Sequence, residues 1–285
     1  MVRAAPGARC CMRAIITTAA EHLLTLLQVL EELDNGGEFF TAAGKVYIKP
    51  NVTGDAWQKQ VVVGVSERLV SLIGTQEKPV AHLHFNGITF TQSLPTFLGG
   101  STANRSMAPG TGDWSIFNSG AMYLSGTEHI EVANCTFREI GGNGVFMYGY
   151  NRWNTVAQSE FVWLGDSAVA LVGVGDDGLA SVSGLDGNFP SDNTITRNHI
   201  HENGVLTKQS SPYFQTVACH NNITYNVMYN GPRAGINFVR QPTQSCARAS
   251  VTLVLTARCL AQNDGFGGGD LMLGNIIFNM VRETK

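Results

Sequence analysis

The sequence predicts an all-β fold, a right-handed parallel β-helix in which short strands stack rung on rung into a solenoid. Three observations carry that expectation: a repeated pair of apolar columns, a glycine-marked corner in register with them, and a composition poor in charge. Charged residues are 14% of the 285 and glycines number 32, whereas ordinary soluble domains carry roughly 25% charge. Few charges and many glycines suit closely stacked backbone better than charge-laced surface helices.

The repeat is read from HFNGITF (84–90), IEVANCTF (130–137), NTVAQSEF (154–161), NTITRNHI (193–200), NNITYNVM (221–228) and DLMLGNII (270–277). Take Ile88, Cys135, Ser159, Asn198, Asn226 and Asn275 as reference positions. Three residues earlier stand Phe85, Val132, Val156, Ile195, Ile223 and Met272; two later stand Phe90, Phe137, Phe161, Ile200, Met228 and Ile277. A corner follows at Gly141, Gly165 and Gly204, then a second apolar strand with Val145, Val169 and Ile236 and, two further on, Met147, Leu171 and Phe238. No unit buries its own apolar face, so neighbours must stack at about 4.8 Å. Asn198, Asn226 and Asn275 are then expected to form an amide ladder. A propeller, the main rival, needs about 40–45 residues per blade.

Reference spacings are 47, 24, 39, 28 and 49 residues, so one rung takes 24–28. The 47 hides an excursion or a second turn and contains the loop 93–115, while the 39 contains the Gly/Asp loop 173–190. Loops of this kind on a rigid solenoid shape binding clefts. The 49 contains residues 239–262, a stretch with no Gly or Asn. Removing those 24 residues leaves a normal 25-residue rung, and their Val and Gln ends are compatible with the GT…AG ends of a spliceosomal intron. They are expected to be a retained intron of a eukaryotic gene or, alternatively, an inserted loop. Upstream, residues 1–30 form a leader or capping segment, with Leu23, Leu24, Leu27, Leu30 and Leu33 near helical spacing, able to plug the open end of the coil. EELDNGGEFF (31–40) and KVYIKPN (45–51) read as a turn and a short strand pair. The β-helix therefore runs over 31–285.

A net charge of −3 gives no electrostatic footprint for nucleic acid, and no run reaches the roughly 18 apolar residues of a membrane span. None of the six cysteines forms a C-x2-C pair, so neither a structural zinc site nor a disulfide framework is expected. The start carries no clear secretory signal.

At SGAMYLSGTEHIEVANCTFREIGGNGVFMYGYNR (119–152), GDSAVALVG (165–173), KQSSPYFQ (208–215) and NGPRAGINF…NDGFGGG (230–269), the chain resembles the pectin-lyase-like superfamily. The resemblance implies kinship with β-helix glycoside hydrolases and polysaccharide lyases, a polysaccharide partner, an extracellular setting, a monomer, and no cofactor apart from Ca2+ if the chain is a lyase. It assigns no catalytic residue. Related chains continue beyond the position of Lys285, so this chain is expected to be truncated.

The chemistry has to be sought where polar or aromatic residues break the rung pattern. Four residues after the reference stand Glu139, Trp163, Glu202, Asn230 and Asn279, which sets Glu139 and Glu202 two strand spacings apart, about 9.6 Å. Glycoside hydrolysis needs two carboxylates, about 6.5–9.5 Å apart for inversion; a lyase needs a base and a cation for the uronate carboxylate. Asp166, Glu202, Lys208 and Asp264 are the catalytic candidates. Arg233 and Arg282, one rung apart, are read as a carboxylate clamp, and Trp163, Gln209, Tyr213, Gln215 and Asn237 as further sugar contacts. Lys208 fills the slot of Val145, Val169 and Ile236, as a buried amine or because loop 206–218 bulges. His199 and His201, on either side of Ile200, are expected to face differently, one at the surface, and to make no metal site. Hydrolase, lyase and non-catalytic glycan-binding solenoid all remain open at this point.

Overall fold

The computed structural model describes residues 30–33, 39–42, 45–49, 62, 64–96, 105–107, 115–174, 187–239, 261–264 and 269–280. Three parallel sheets run the length of the stack. Sheet I holds His84–Asn86, Glu131–Ala133, Thr155–Ala157, Thr194–Thr196, Asn222–Thr224 and Leu271–Leu273. Sheet II holds Thr89–Thr91, Thr136–Ile140, Glu160–Leu164, His199–His201, Val227–Tyr229 and Ile276–Phe278. Sheet III runs through Val70–Ile73, Gly120–Glu128, Asn143–Arg152, Val169–Val172, Tyr213–Thr216, Ile236–Val239 and Ala261–Asp264. Each rung passes from sheet I to sheet II to sheet III, and the coil is right-handed, as parallel crossovers almost always are. Among the described residues the one helical element is the 3-10 turn Leu30–Glu32.

Strand alternation fills the interior. Phe90, Phe137 and Phe161 share one register column, and their rings stack at 4.7 Å in both steps. Ile200, Met228 and Ile277 continue that column. Each buried side chain of this size contributes about 1.5–3 kcal/mol. Gly165 closes the corner after sheet II, where an added Cβ would lie 2.3 Å from the carbonyl oxygen of Gly141.

The asparagine ladder forms at the bend between sheets I and II. The backbone N–H of Cys135 donates to Ser159 Oγ, that of Ser159 to Asn198 Oδ1, that of Asn198 to Asn226 Oδ1 and that of Asn226 to Asn275 Oδ1, at 2.9–3.1 Å. A second ladder, absent from the sequence expectation, stands where sheet III turns into sheet I. There Ile130, Asn154, Asn193 and Asn221 donate in turn to Asn154, Asn193, Asn221 and Asp270 at 2.7–3.1 Å.

The 47-residue spacing is an excursion. The antiparallel pair Arg105–Met107 and Ser115–Phe117 forms a sheet of its own, and the chain gains no extra rung. Phe39–Ala42 and Lys45–Ile48 form the expected strand pair. The capping helix falls almost wholly outside the described residues. So does the segment 239–262, except for its ends: Val239 closes one sheet III strand, and Ala261–Gln262 open the strand stacked on it, with Phe238 opposite Asn263. From Val145 to Asn154 is nine residues and from Tyr213 to Asn221 eight, whereas Ile236 to Asp270 is 34, or ten without the 24-residue segment. The intron reading therefore stands as a proposal. Cys135 is buried and free, and Cys219 is disulfide-bonded, so one bridge is present where none is expected.

Two predictions follow from the ladders. Asn226→Ala orphans the Asn198 N–H and the Ile195 carbonyl, the second of which accepts from Asn226 Nδ2 at 2.9 Å. It should lower unfolding free energy by about 2–3 kcal/mol in urea titration. Asp270 is 3% exposed, and burial raises its carboxyl from 3.8 to about 6 against the hydrogen bonds that favour the anion. Because the folded value lies above the unfolded one, this stabilisation is complete below about pH 4 and lost as pH rises through about 6. Wild-type stability should fall by about 3 kcal/mol over that window, and Asp270→Asn, which continues the amide ladder, should remove that slope.

Candidate functional site

The corner where sheet II turns into sheet III gathers most of the candidate residues. Gln92, Glu139, Trp163, Glu202, Asn230 and Asn279 occupy one column there, all with φ between 49° and 61°. A left-handed backbone at a non-Gly residue costs about 1–2 kcal/mol. It recurs in two further columns, at His82, His129, Trp153, Asp192 and His220 and at Asn134, Gln158, Arg197 and Tyr225. The conformation is thus the way this chain turns corners, and the side chains, not the strain, distinguish the first column.

In that column the two carboxylates are backed from opposite sides. Gln92 Nε2 donates to Glu139 Oε2 at 3.4 Å from the rung below, and Arg138 adds a contact of 3.2 Å to Oε1. From the rung above Glu202, the Asn230 amide donates to Glu202 Oε1, and the Asn279 amide donates to Asn230 Oδ1. Trp163 lies between the two acids and is 37% exposed. Sheet register confirms the alignment, since Ile140 pairs with Leu164 and Val162 with His201. The expected order of Glu139, Trp163 and Glu202 is therefore present.

The corner loop resolves the Lys208 alternatives. Tyr213, not Lys208, takes the slot aligned with Val169 and Ile236, so the loop bulges and Lys208 is not a buried amine. Its ammonium donates to the carbonyls of Gly204 and Val205 at 3.0 and 3.1 Å. Asp166 is 3% exposed at the same turn; its backbone N–H donates to Gly142 O, and its carbonyl accepts from Gly204 N. Arg233 donates to Gln209 Oε1 one rung away. Asp264 ends the strand beside Val239, its side chain outside the description, and Arg282 lies outside the described residues.

Two candidates are corrected outright. Tyr213 and Gln215 share register with Val169 and Leu171, so strand alternation sends both inward. Tyr213 is fully buried and donates to Gln215 Oε1 at 2.6 Å, and Gln215 Nε2 donates to Asp270 Oδ2 at 3.0 Å. Burial, and then the charge of Asp270, push the Tyr213 hydroxyl well above its usual range. These residues form an interior polar chain and do not contact sugar. The side chains that face outward on sheet III are their neighbours Phe214 and Asn237, in a column with Tyr123, Phe146 and Ala170. Arg68 lies 3.6 Å above the Tyr123 ring. Asn237 is wholly buried, and neither of its amide atoms has a hydrogen-bond partner. A buried amide left unmet costs about 1–3 kcal/mol.

His199 and His201 also differ from expectation. Both flank the buried Ile200, and alternation places them on the same outer side of sheet II. Their ring centroids lie 4.6 Å apart, with Glu160 beside them. Burial and then neighbouring His199 hold His201 below the usual imidazole range. The period-2 pattern alone could have placed these residues together.

Stacked parallel strands, amide ladders at the bends and a polar column along one corner define the chain as a parallel β-helix protein. Residues 119–267 match the right-handed β-helix region family model; that is more than half of the chain, which belongs to this family. A search of curated proteins finds no match. Among solved structures the chain is similar to one described as a glycoside hydrolase, at 16% identity with a TM-score of 0.61, over 87% of this chain. The chain spans 58% of that structure's length. Among the described residues no helix is long and apolar enough to cross a membrane.

Proposed function

We propose that the protein acts on a polysaccharide laid along the corner between sheets II and III, cleaving it by glycoside hydrolysis. The carrying observation is the column Glu139–Trp163–Glu202, two backed carboxylates on either side of an exposed indole. Two strand spacings set the two backbones about 9.6 Å apart, just beyond the long end of the inverting range for the carboxyl groups, and leave room for a water. One carboxyl protonates the glycosidic oxygen as the C1–O bond breaks. The other takes a proton from the water whose oxygen bonds to C1. Trp163 supplies a flat apolar face for a sugar ring. The fold likeness to a glycoside hydrolase agrees with this reading. β-Elimination has weaker support, because Lys208 is engaged with two carbonyls and Arg233 with Gln209.

A second reading, glycan binding without cleavage, is favoured by a different corner. His82 and His129 stack at 5.0 Å, and His129 and Trp153 at 5.2 Å, with Trp153 50% exposed. Incubation with plant, algal and microbial polysaccharides, followed by assay of reducing ends, separates the two. Hydrolysis predicts new reducing ends, with Glu202→Gln and Glu139→Gln each lowering kcat by about 100-fold or more. Trp163→Ala should raise KM with kcat largely kept. Binding without products, unsaturated products, or activity indifferent to both glutamates would each overturn the hydrolytic assignment.

A further inference from the structure

On the outer face of sheet II, one to three residues before the Glu202 column, Glu160, His199 and His201 converge through strand register alone. Glu160 lies opposite His199, and His201 lies opposite Val162, two positions along the same strand. Glu160 Oε1 is 3.7 Å from His199 Nδ1 and 3.6 Å from His201 Nε2. One ligand atom from each residue lies within 4.8 Å of the other two. We propose that Glu160, His199 and His201 form a binding site for a divalent transition-metal ion of the zinc class.

A direct hydrogen bond does not account for these distances. Both exceed the length of a protein hydrogen bond, and His201 Nε2 is buried with no hydrogen-bond partner. A metal resolves that mismatch. Bonds of about 2.0–2.2 Å to imidazole nitrogen and carboxylate oxygen set neighbouring ligand atoms ~3.4 Å apart around a tetrahedral centre. The two separations from Glu160 need to close by only a few tenths of an ångström, and the two histidine ligand atoms already lie within 4.8 Å of each other. The rings are already oriented. Tyr229 from the next rung stacks on His201 at 4.9 Å, with the planes 5° apart, and Phe278 stacks on Tyr229 at 4.8 Å. Two imidazoles with one carboxylate select Zn2+, Cu2+, Ni2+ or Fe2+ over Ca2+ and Mg2+, which prefer all-oxygen sets. Glu160 and His199 each leave 46% of the side chain exposed, so an ion held here keeps open positions toward solvent for water or an oxygen ligand. The site is independent of the hydrolytic reading, since none of its residues belongs to the Glu139–Trp163–Glu202 column.

The test is calorimetric titration of the full, metal-stripped chain with Zn2+ near neutral pH, repeated with Co2+ as a spectroscopic probe. The expected result is one saturable site per chain and visible Co2+ d–d bands of low-symmetry nitrogen and oxygen coordination. Glu160→Gln, His199→Asn and His201→Asn should each weaken Zn2+ binding by about tenfold or more. All three side chains point out of the stack, so the far-UV circular dichroism of the variants should match that of the wild type. Excess Ca2+ should not displace Zn2+. The proposal is overturned if the wild type takes up no Zn2+ saturably, if the triple variant binds with unchanged affinity, or if Ca2+ competes at comparable concentration.

Discussion

Everything in this molecule depends on satisfying backbone hydrogen bonds at the bends of a coil. Strands three residues long pair well along the stack, but the residues between them leave N–H groups pointing into a buried corner. The chain meets these donors with side-chain oxygens from the next rung: Ser159, Asn198, Asn226 and Asn275 at one bend, Asn154, Asn193, Asn221 and Asp270 at the other. Each rung is thereby tied to the next at a fixed register. A slip of one residue would leave the corner donors unmet and turn the Phe90–Phe137–Phe161 column toward solvent.

That fixed register is also what makes chemistry possible on a surface built from short strands. Because residues at the same step of successive rungs share a column, an acid placed two rungs from another acid is held at a distance set by strand spacing. Glu139 and Glu202 owe their relation to this, and so do Glu160 and His199. Polar side chains carried outward on such columns need no loop to hold them. The amides of Gln92 and Asn230 fix the two carboxylates from outside the pair, leaving the space over Trp163 between them.

Much of this was legible in the sequence because the repeat is periodic where it is buried. The columns of Phe137 and Ile200, of Val145 and Ile236, and of Glu139 and Glu202 follow from counting. Counting fails where the register bulges. Between Val205 and Tyr213 the corner is longer than between Asp166 and Val169, which shifted Lys208 into a slot that Tyr213 fills and made inward-facing Tyr213 and Gln215 look like surface groups. The second ladder was hidden because its residues precede the strand and one of them is an aspartate. The metal-ligating trio spans two rungs 39 residues apart in sequence, so no local motif announces it.

The central claim is that the column of left-handed corner residues, and not the sheet III face or the Trp153 corner, is where a glycan is held for cleavage. The most direct test is a crystal structure of Glu202→Gln with a bound oligosaccharide. A sugar ring should stack on Trp163, with a glycosidic oxygen between positions 139 and 202. An oligosaccharide seated on the His82–His129–Trp153 stack, with the space above Trp163 empty, would contradict that placement.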